Sequence, residues 1–206
     1  MDLVVANTTD NISILKRFGD GVEFRASTRE EIMPFAMRAF EESHDQGMHV
    51  LIDDWISPTQ RQHVESSRGL KQLNFSVHCD GQVIGSFTGR QGDKGIFRMG
   101  MSVILPAYQG RGFYNRILDF VLEWARTNEF WAIDSRHNPC NSRIIAAKLK
   151  KGFFIRGYEV DVQNGPMISM IFFFDERIRD LFLFRNCYKS PSEELRGRLP
   201  VFTESP

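Results

Sequence analysis

The segment that most restricts this chain is Val103-Ile-Leu-Pro-Ala-Tyr-Gln-Gly-Arg-Gly-Phe-Tyr-Asn115, where an apolar run meets a proline, then two glycines, then a helical pattern. Ile117, Phe120, Val121 and Trp124 recur at helical spacing, so the helix starts near Gly112 and reaches about residue 127. A loop whose backbone N–H groups converge at a helix N-terminus offers unpaired donors and the positive end of the helix dipole, which suits an anion such as a pyrophosphate. Gly110 and Gly112 let the main chain approach closely, and Arg111 can add a charge-assisted contact. The same glycines can also do no more than make the turn. One other phosphate-binding design is excluded and a second fits worse. There is no G-x-x-x-x-G-K-[ST] for a Walker loop, and no G-x-G-x-x-G after the first strand of a parallel sheet for a dinucleotide fold.

Periodicity organises the rest. Residues 22–27 alternate as a short strand, and Ser27 or Thr28 caps a helix that reaches about Glu42, with a bend at Pro34. Ser57-Pro58 opens a second helix to about Arg68. Strands at 73–79, 82–90 and 96–105 are separated by Asp80-Gly81 and by a glycine-bearing loop at 91–95, which makes an antiparallel meander. Residues 131–135 form a buried strand after the 112–127 helix, so strand, helix and strand make a crossover unit. A helix at 141–151 ends at Gly152, and strands 153–162 and 166–174 flank the hairpin turn Asn164-Gly165. From Asp175 a short amphipathic helix gives way to polar coil. The expected fold is α/β with a mixed sheet: an antiparallel meander, a βαβ crossover and a C-terminal β-hairpin in one domain over 1–206, with its core at about 22–174 and a tail at 175–206.

With these motifs in place, the chain resembles the GNAT (GCN5-related N-acetyltransferase) superfamily. Gln109-Gly-Arg-Gly-Phe-Tyr114 is similar to the family's Q/R-x-x-G-x-G/A signature, and Asn141 to Phe153 is similar to its N-x-x-A…Y-x-K-x-G-F segment. The resemblance covers roughly residues 22–174. It implies an acyltransferase that moves an acyl group, acetyl in most members, from acyl-coenzyme A to an amine. It also implies cofactor-binding roles for Gln109, Gly110, Arg111, Gly112, Phe113 and Tyr114 at the pyrophosphate, for Ser102 and Val103 along the pantetheine arm, and for Asn141 beside that arm. Two departures stand out. Tyr114 occupies the signature's last small position, and Lys148 stands where many members carry the tyrosine that protonates the departing thiolate.

The catalytic apparatus is less legible. A protonated Lys148 can donate to a thiolate, but it can equally be a solvent-facing lysine beside Lys150 and Lys151, with Tyr114, Tyr158 and Cys140 as substitutes. The strand Phe97 to Met101 carries no carboxylate, so Asp134 and His137, at the end of the crossover strand, are the nearest candidates for a base. Asp134 can equally cap the next loop, and His137 can orient the turn at Asn138-Pro139. The loop Glu41 to Trp55 is rich in carboxylates and holds an indole, which suits a cationic amine or simply a solvated surface. The aromatic end from Ile171 through Phe184 reads as core plus a docked helix, with a homodimer seam or a widened acyl pocket as alternatives.

Composition limits the partners. Lys plus Arg and Asp plus Glu balance at 26 each, leaving no net field to hold nucleic acid. Cys79, Cys140 and Cys187 form no close cluster, which argues against disulfides and against a metal site. No apolar stretch is long enough to span a membrane and no leader pattern opens the chain, so a cytoplasmic protein is expected. Three function classes remain: an enzyme acylating a small-molecule amine, one acylating a protein or peptide amine, and a non-catalytic coenzyme-A-binding module.

Overall fold

The computed structural model describes residues 13–44, 71–162, 164–187 and 189–199. Eight strands form one mixed sheet: β1 (Ile14–Arg17), β2 (Val22–Ala26), β3 (Gln72–Cys79), β4 (Gln82–Gln91), β5 (Ile96–Ile104), β6 (Ala132–His137), β7 (Phe154–Asp161) and β8 (Gly165–Phe173), in the order β1-β2-β3-β4-β5-β6-β8-β7. Only β5 and β6 run parallel; every other neighbouring pair is antiparallel. The helices are α1 (Arg29–His44), α2 (Phe113–Thr127), α3 (Ser142–Lys150), α4 (Glu176–Arg185) and α5 (Glu193–Arg196). The expected meander, crossover and hairpin are all present. The expected helix at 58–68 lies outside the described residues, as do the loop positions 45–55.

Two faces cover the sheet. On one, α2 buries Ile117, Leu118, Phe120 and Val121 against Phe24, Phe75 and Phe97, with Phe153 after α3 completing the main core. The aromatic rings meet at close range, Phe120 standing edge-on to Phe24 at 5.5 Å and to Phe75 at 5.4 Å. On the other face, α1 packs Ile32, Ala36 and Ala39 against Val103, and α4 packs Ile178 and Phe182 against Ile171 and Phe173. Thr28 is the cap of α1, in a reciprocal box: its N–H donates to Glu31 Oε2 at 2.8 Å, and the Glu31 N–H donates to Thr28 Oγ1 at 3.2 Å.

Two details depart from expectation, and a third agrees with it. The four-residue β1 pairs with β2 at the sheet edge, a strand too short and polar to show alternation. The tail is not all coil: Asp180 Oδ2 accepts from the Ser192 N–H and Oγ–H, and so anchors α5. The Ile171 to Phe173 run is apolar because β8 is an inner strand between β6 and β7, with α4 docked on it, so the aromatic end is core plus a docked helix. No helix among the described residues is long and apolar enough to cross a membrane.

Candidate active site

The site begins with a break in the sheet. β5 and β6 pair at Ile96–Ala132, Phe97–Ile133 and Arg98–Asp134, and there the ladder stops. Met99–Ile104 keep β4 on one side and, among the described residues, have no strand partner on the other. A β-bulge accompanies the opening: Phe87 faces Ser102 and Gly89 faces Met99, so Thr88 opposes both Gly100 and Met101. Thr88 Oγ1 accepts from the Met101 N–H at 3.0 Å. Gly100 permits this approach, since a Cβ there would meet Thr88 Oγ1 at 2.7 Å and the Thr88 carbonyl at 2.9 Å. The extra residue also switches the strand's phase. Phe97 and Met99 join the main core, whereas Met101 and Val103 face α1.

Directly after β5 the chain forms the glycine loop. Gly110 and Gly112 take φ of 77° and 83°, in the left-handed region, and a Cβ on either would meet nothing within 4 Å among the described residues. The loop therefore opens onto free space. Gly112 caps α2 with no side-chain cap bond, and no acidic residue stands in the first turn, so the helix N-terminus presents uncapped donors. These features fit a pyrophosphate. Gln109 is turned the other way, its amide donating to the Ile104 carbonyl at 2.9 Å, which ties the loop to the end of β5. Arg111 lies over the Tyr108 ring at 5.1 Å. Tyr114 packs against the main core, where burial pushes its phenol pKa up.

Asn141 caps α3, and Ile145 and Lys148 follow it on one stripe at i, i+4 and i+7. That stripe faces inward. Lys148 is fully buried, its Nζ 3.1 Å from Met99 Sδ and 4.9 Å from the centroid of the Phe153 ring. It is not a solvent-facing lysine, and the crowding of Lys150 and Lys151 in sequence hides this. Burial pushes its pKa down to about 7, with the Asp134 charge opposing. A thioether is a weak acceptor, so the ammonium has little to stabilise it.

The two expected bases differ in what they can do. Asp134 is not a free carboxylate: it accepts from Arg98 Nε and Nη2, and from Arg156 Nη2 at 3.3 Å. His137 stands at the end of β6 with Nε2 3.2 Å from Ser135 Oγ, and burial, followed by the Lys148 charge, pushes its pKa down to about 3. Its imidazole is neutral but weakly basic. Of the substitutes, Tyr158 is 65% exposed on β7 and Cys140 is exposed in the turn before α3. Lys148 alone of the candidate acids stands inside the splay. The two arginines on Asp134 were invisible in sequence, because Arg98, Asp134 and Arg156 come from three strands joined only by tertiary pairing.

The acetyltransferase (GNAT) family model matches residues 29–146. No curated protein sequence matches the chain significantly. Among solved structures, the IAA acetyltransferase from Bacillus cereus is 14% identical with a TM-score of 0.56, over 74% of this chain and 99% of its own. The ribosomal-protein-S18-alanine N-acetyltransferase from Escherichia coli is 14% identical with a TM-score of 0.56, over 75% and 94%. The spermidine N-acetyltransferase from Vibrio cholerae, in complex with CoA and spermine, is 14% identical with a TM-score of 0.54, over 74% and 95%. At such identities the likeness is one of fold. The family match runs from α1 through the splay and the glycine loop into α3, and with it the chain belongs to the GNAT family and is an N-acetyltransferase.

Proposed function

We propose that this protein carries the acetyl group of acetyl-CoA to the amine of a small molecule by direct attack on the thioester. The observation that carries the reading is the sheet opening after Arg98–Asp134, which holds the buried amine of Lys148 and leads straight into an uncapped helix N-terminus. Gly110, Arg111, Gly112, Phe113 and Tyr114 would hold the pyrophosphate with loop and first-turn N–H groups, while Gln109 shapes the loop. Ser102 and Val103 offer a strand edge to the pantetheine arm, with Asn141 across the opening. The groove between α2 and α3, lined by Asn115, Arg143, Lys150 and Lys151, suits the coenzyme's remaining negative charge. When bound, acetyl-CoA supplies an acyl group activated as a thioester.

Lys148 holds a proton at Nζ where the leaving sulfur gathers charge. The imidazole of His137 accepts hydrogen bonds but binds protons weakly, and Asp134 is occupied by guanidiniums. The acceptor therefore enters as the neutral amine or sheds its proton to water. Solved relatives of this fold include enzymes named for a small polyamine and for a protein alanine. A small acceptor is chosen because the charged groups at the splay vertex stand as one compact site.

Thiol release from acetyl-CoA over a panel of small amines tests this, with Gly112→Trp as the comparison. Turnover of at least one small amine is expected, together with loss of CoA binding and turnover when the indole fills the loop. CoA binding undiminished in Gly112→Trp, or tight CoA binding with turnover of no small amine, would overturn the reading.

A further inference from the structure

At the vertex of the splay two guanidiniums converge on one buried carboxylate oxygen. Arg98 Nη2 donates to Asp134 Oδ2 at 2.9 Å, its Nε donates to both carboxylate oxygens at 3.1 and 3.2 Å, and Arg156 Nη2 reaches the same Oδ2 at 3.3 Å. The Asp134 side chain is 2% exposed, whereas those of Arg98 and Arg156 are 29% and 32% exposed. Arg98 alone satisfies Asp134 in fork geometry. Arg156 is surplus to that pair: it has five N–H donors and, among the described residues, spends one on a long bond. It is also aimed, since it projects from a register shift between Ile155 and Gly157 on the edge strand β7. Two residues beyond Asp134 on the same face, Arg136 repeats the pattern. Glu159 Oε1 is 3.0 Å from its Nε but off the N–H direction, which leaves that buried atom without a hydrogen bond among the described residues. Asp93 and Glu159 act on Arg98 only through space.

This cluster stands on the face of the sheet that α1 covers, opposite α2, α3 and the glycine loop. The next residue after Arg98 is Met99, whose sulfur meets Lys148. Arg98 is thus the chain neighbour of the residue that contacts Lys148, and an anion held by Arg156 and Arg98 lies across the strand from Lys148, on the side away from the coenzyme loop. Guanidinium forks match the planar geometry of a carboxylate, and they repel an acceptor that carries only cations.

We propose that the acceptor is an amine that also carries a carboxylate, an amino acid in the simplest case, and that Arg156 together with Arg98 holds that carboxylate while the amine reaches the acyl group. The proposal rests on the acetyl transfer described above and names its substrate class. Arg156 is the residue to change, because Arg98 retains Asp134 when Arg156 is gone.

The experiment compares the common amino acids, their carboxamides and spermidine as acceptors, in wild type and Arg156→Gln. Amino acids are expected to exceed their own carboxamides in kcat/KM, and that ratio to fall about 10- to 100-fold in Arg156→Gln, the effect of losing one charge-assisted fork. CoA affinity on the same samples separates this loss from damage to the coenzyme loop. Equal use of amino acids and carboxamides, a preference for spermidine, or an unchanged ratio in Arg156→Gln overturns the proposal. Calorimetric titration of amino acids and carboxamides without coenzyme reads the anion site by itself. Amino-acid binding that is lost in Arg156→Gln supports the site even if acetyl transfer fails, and no amino-acid binding in wild type, with or without CoA, overturns it.

Discussion

The Lys148 ammonium lies 3.1 Å from the Met99 thioether, across the gap where β5 and β6 part, with Phe153 closing the other side of the charge. A buried cation facing a neutral sulfur is poorly matched, and an anionic sulfur in that gap would match it well. Because burial lowers the Lys148 pKa to about 7, the proton is present below that pH and absent above it. With acceptor saturating, kcat is therefore expected to fall as pH rises through about 7. Lys148→Tyr, whose phenol keeps its proton to higher pH, should remove the falling limb. A pH profile of both proteins checks this, and an unchanged limb in Lys148→Tyr would assign it elsewhere.

The same burial predicts a conflict between stability and activity. A lysine whose folded pKa is depressed binds fewer protons folded than unfolded between about pH 7 and its ordinary value of 10.5, so its contribution to stability improves as pH rises through that window. Below pH 7 the charge is buried at full penalty. Lys148→Met should raise Tm by about 5 °C at pH 6 and by much less at pH 10, while acetyl transfer is lost. Thermal melts at the two pH values test the sign.

Asp134 supplies the field that works against this depression and the anchor for two arginines. Asp134→Asn leaves both guanidiniums without a hydrogen-bonded carboxylate among the described residues. Because each is about a third exposed, the loss is discounted to about 2 kcal/mol, or roughly a 5 °C drop in Tm. With the carboxylate gone, the Lys148 pKa falls further, so the descending limb of kcat should move to lower pH. Movement to higher pH would contradict the arrangement.

The bulge at Gly100 depends on close contact with Thr88. Gly100→Val places carbon where Thr88 Oγ1 and O already stand, within 3 Å, and is expected to cost about 3 kcal/mol and abolish turnover. Thr88→Val removes only the hydrogen bond from the Met101 N–H, at a cost of about 1 kcal/mol. Denaturant melts of the two variants should rank in that order.

At the C-terminus, Asp180 holds Lys189 and the Ser192 cap of α5, and its pKa is lowered to about 2, first by the Lys189 contact and then by Ser192. The stabilisation is present above the ordinary carboxylate value and is lost as pH falls through about 2. Asp180→Ala should remove hydrogen-exchange protection around Leu195 at neutral pH and leave the protection of β8 intact, because Phe182 and Ile178 hold α4 independently.

The sequence by itself determined the local elements and the glycine loop, for a physical reason that is local. Helical spacing from Ile117 to Trp124, the turn at Asn164-Gly165 and the positive φ demanded at Gly110 and Gly112 are each settled within a few residues. The position of Lys148 was legible too, one step along the stripe set by Asn141 and Ile145, but two neighbouring lysines masked it. The tertiary structure alone decided which charges meet. The parallel pairing of Arg98 with Asp134 joins residues 36 apart in the chain, and the register shift in β7 brings Arg156 to the same oxygen. No periodicity within one strand encodes its register against another, so Asp134, a candidate base in the linear chain, becomes in the folded one the anchor of a guanidinium pair.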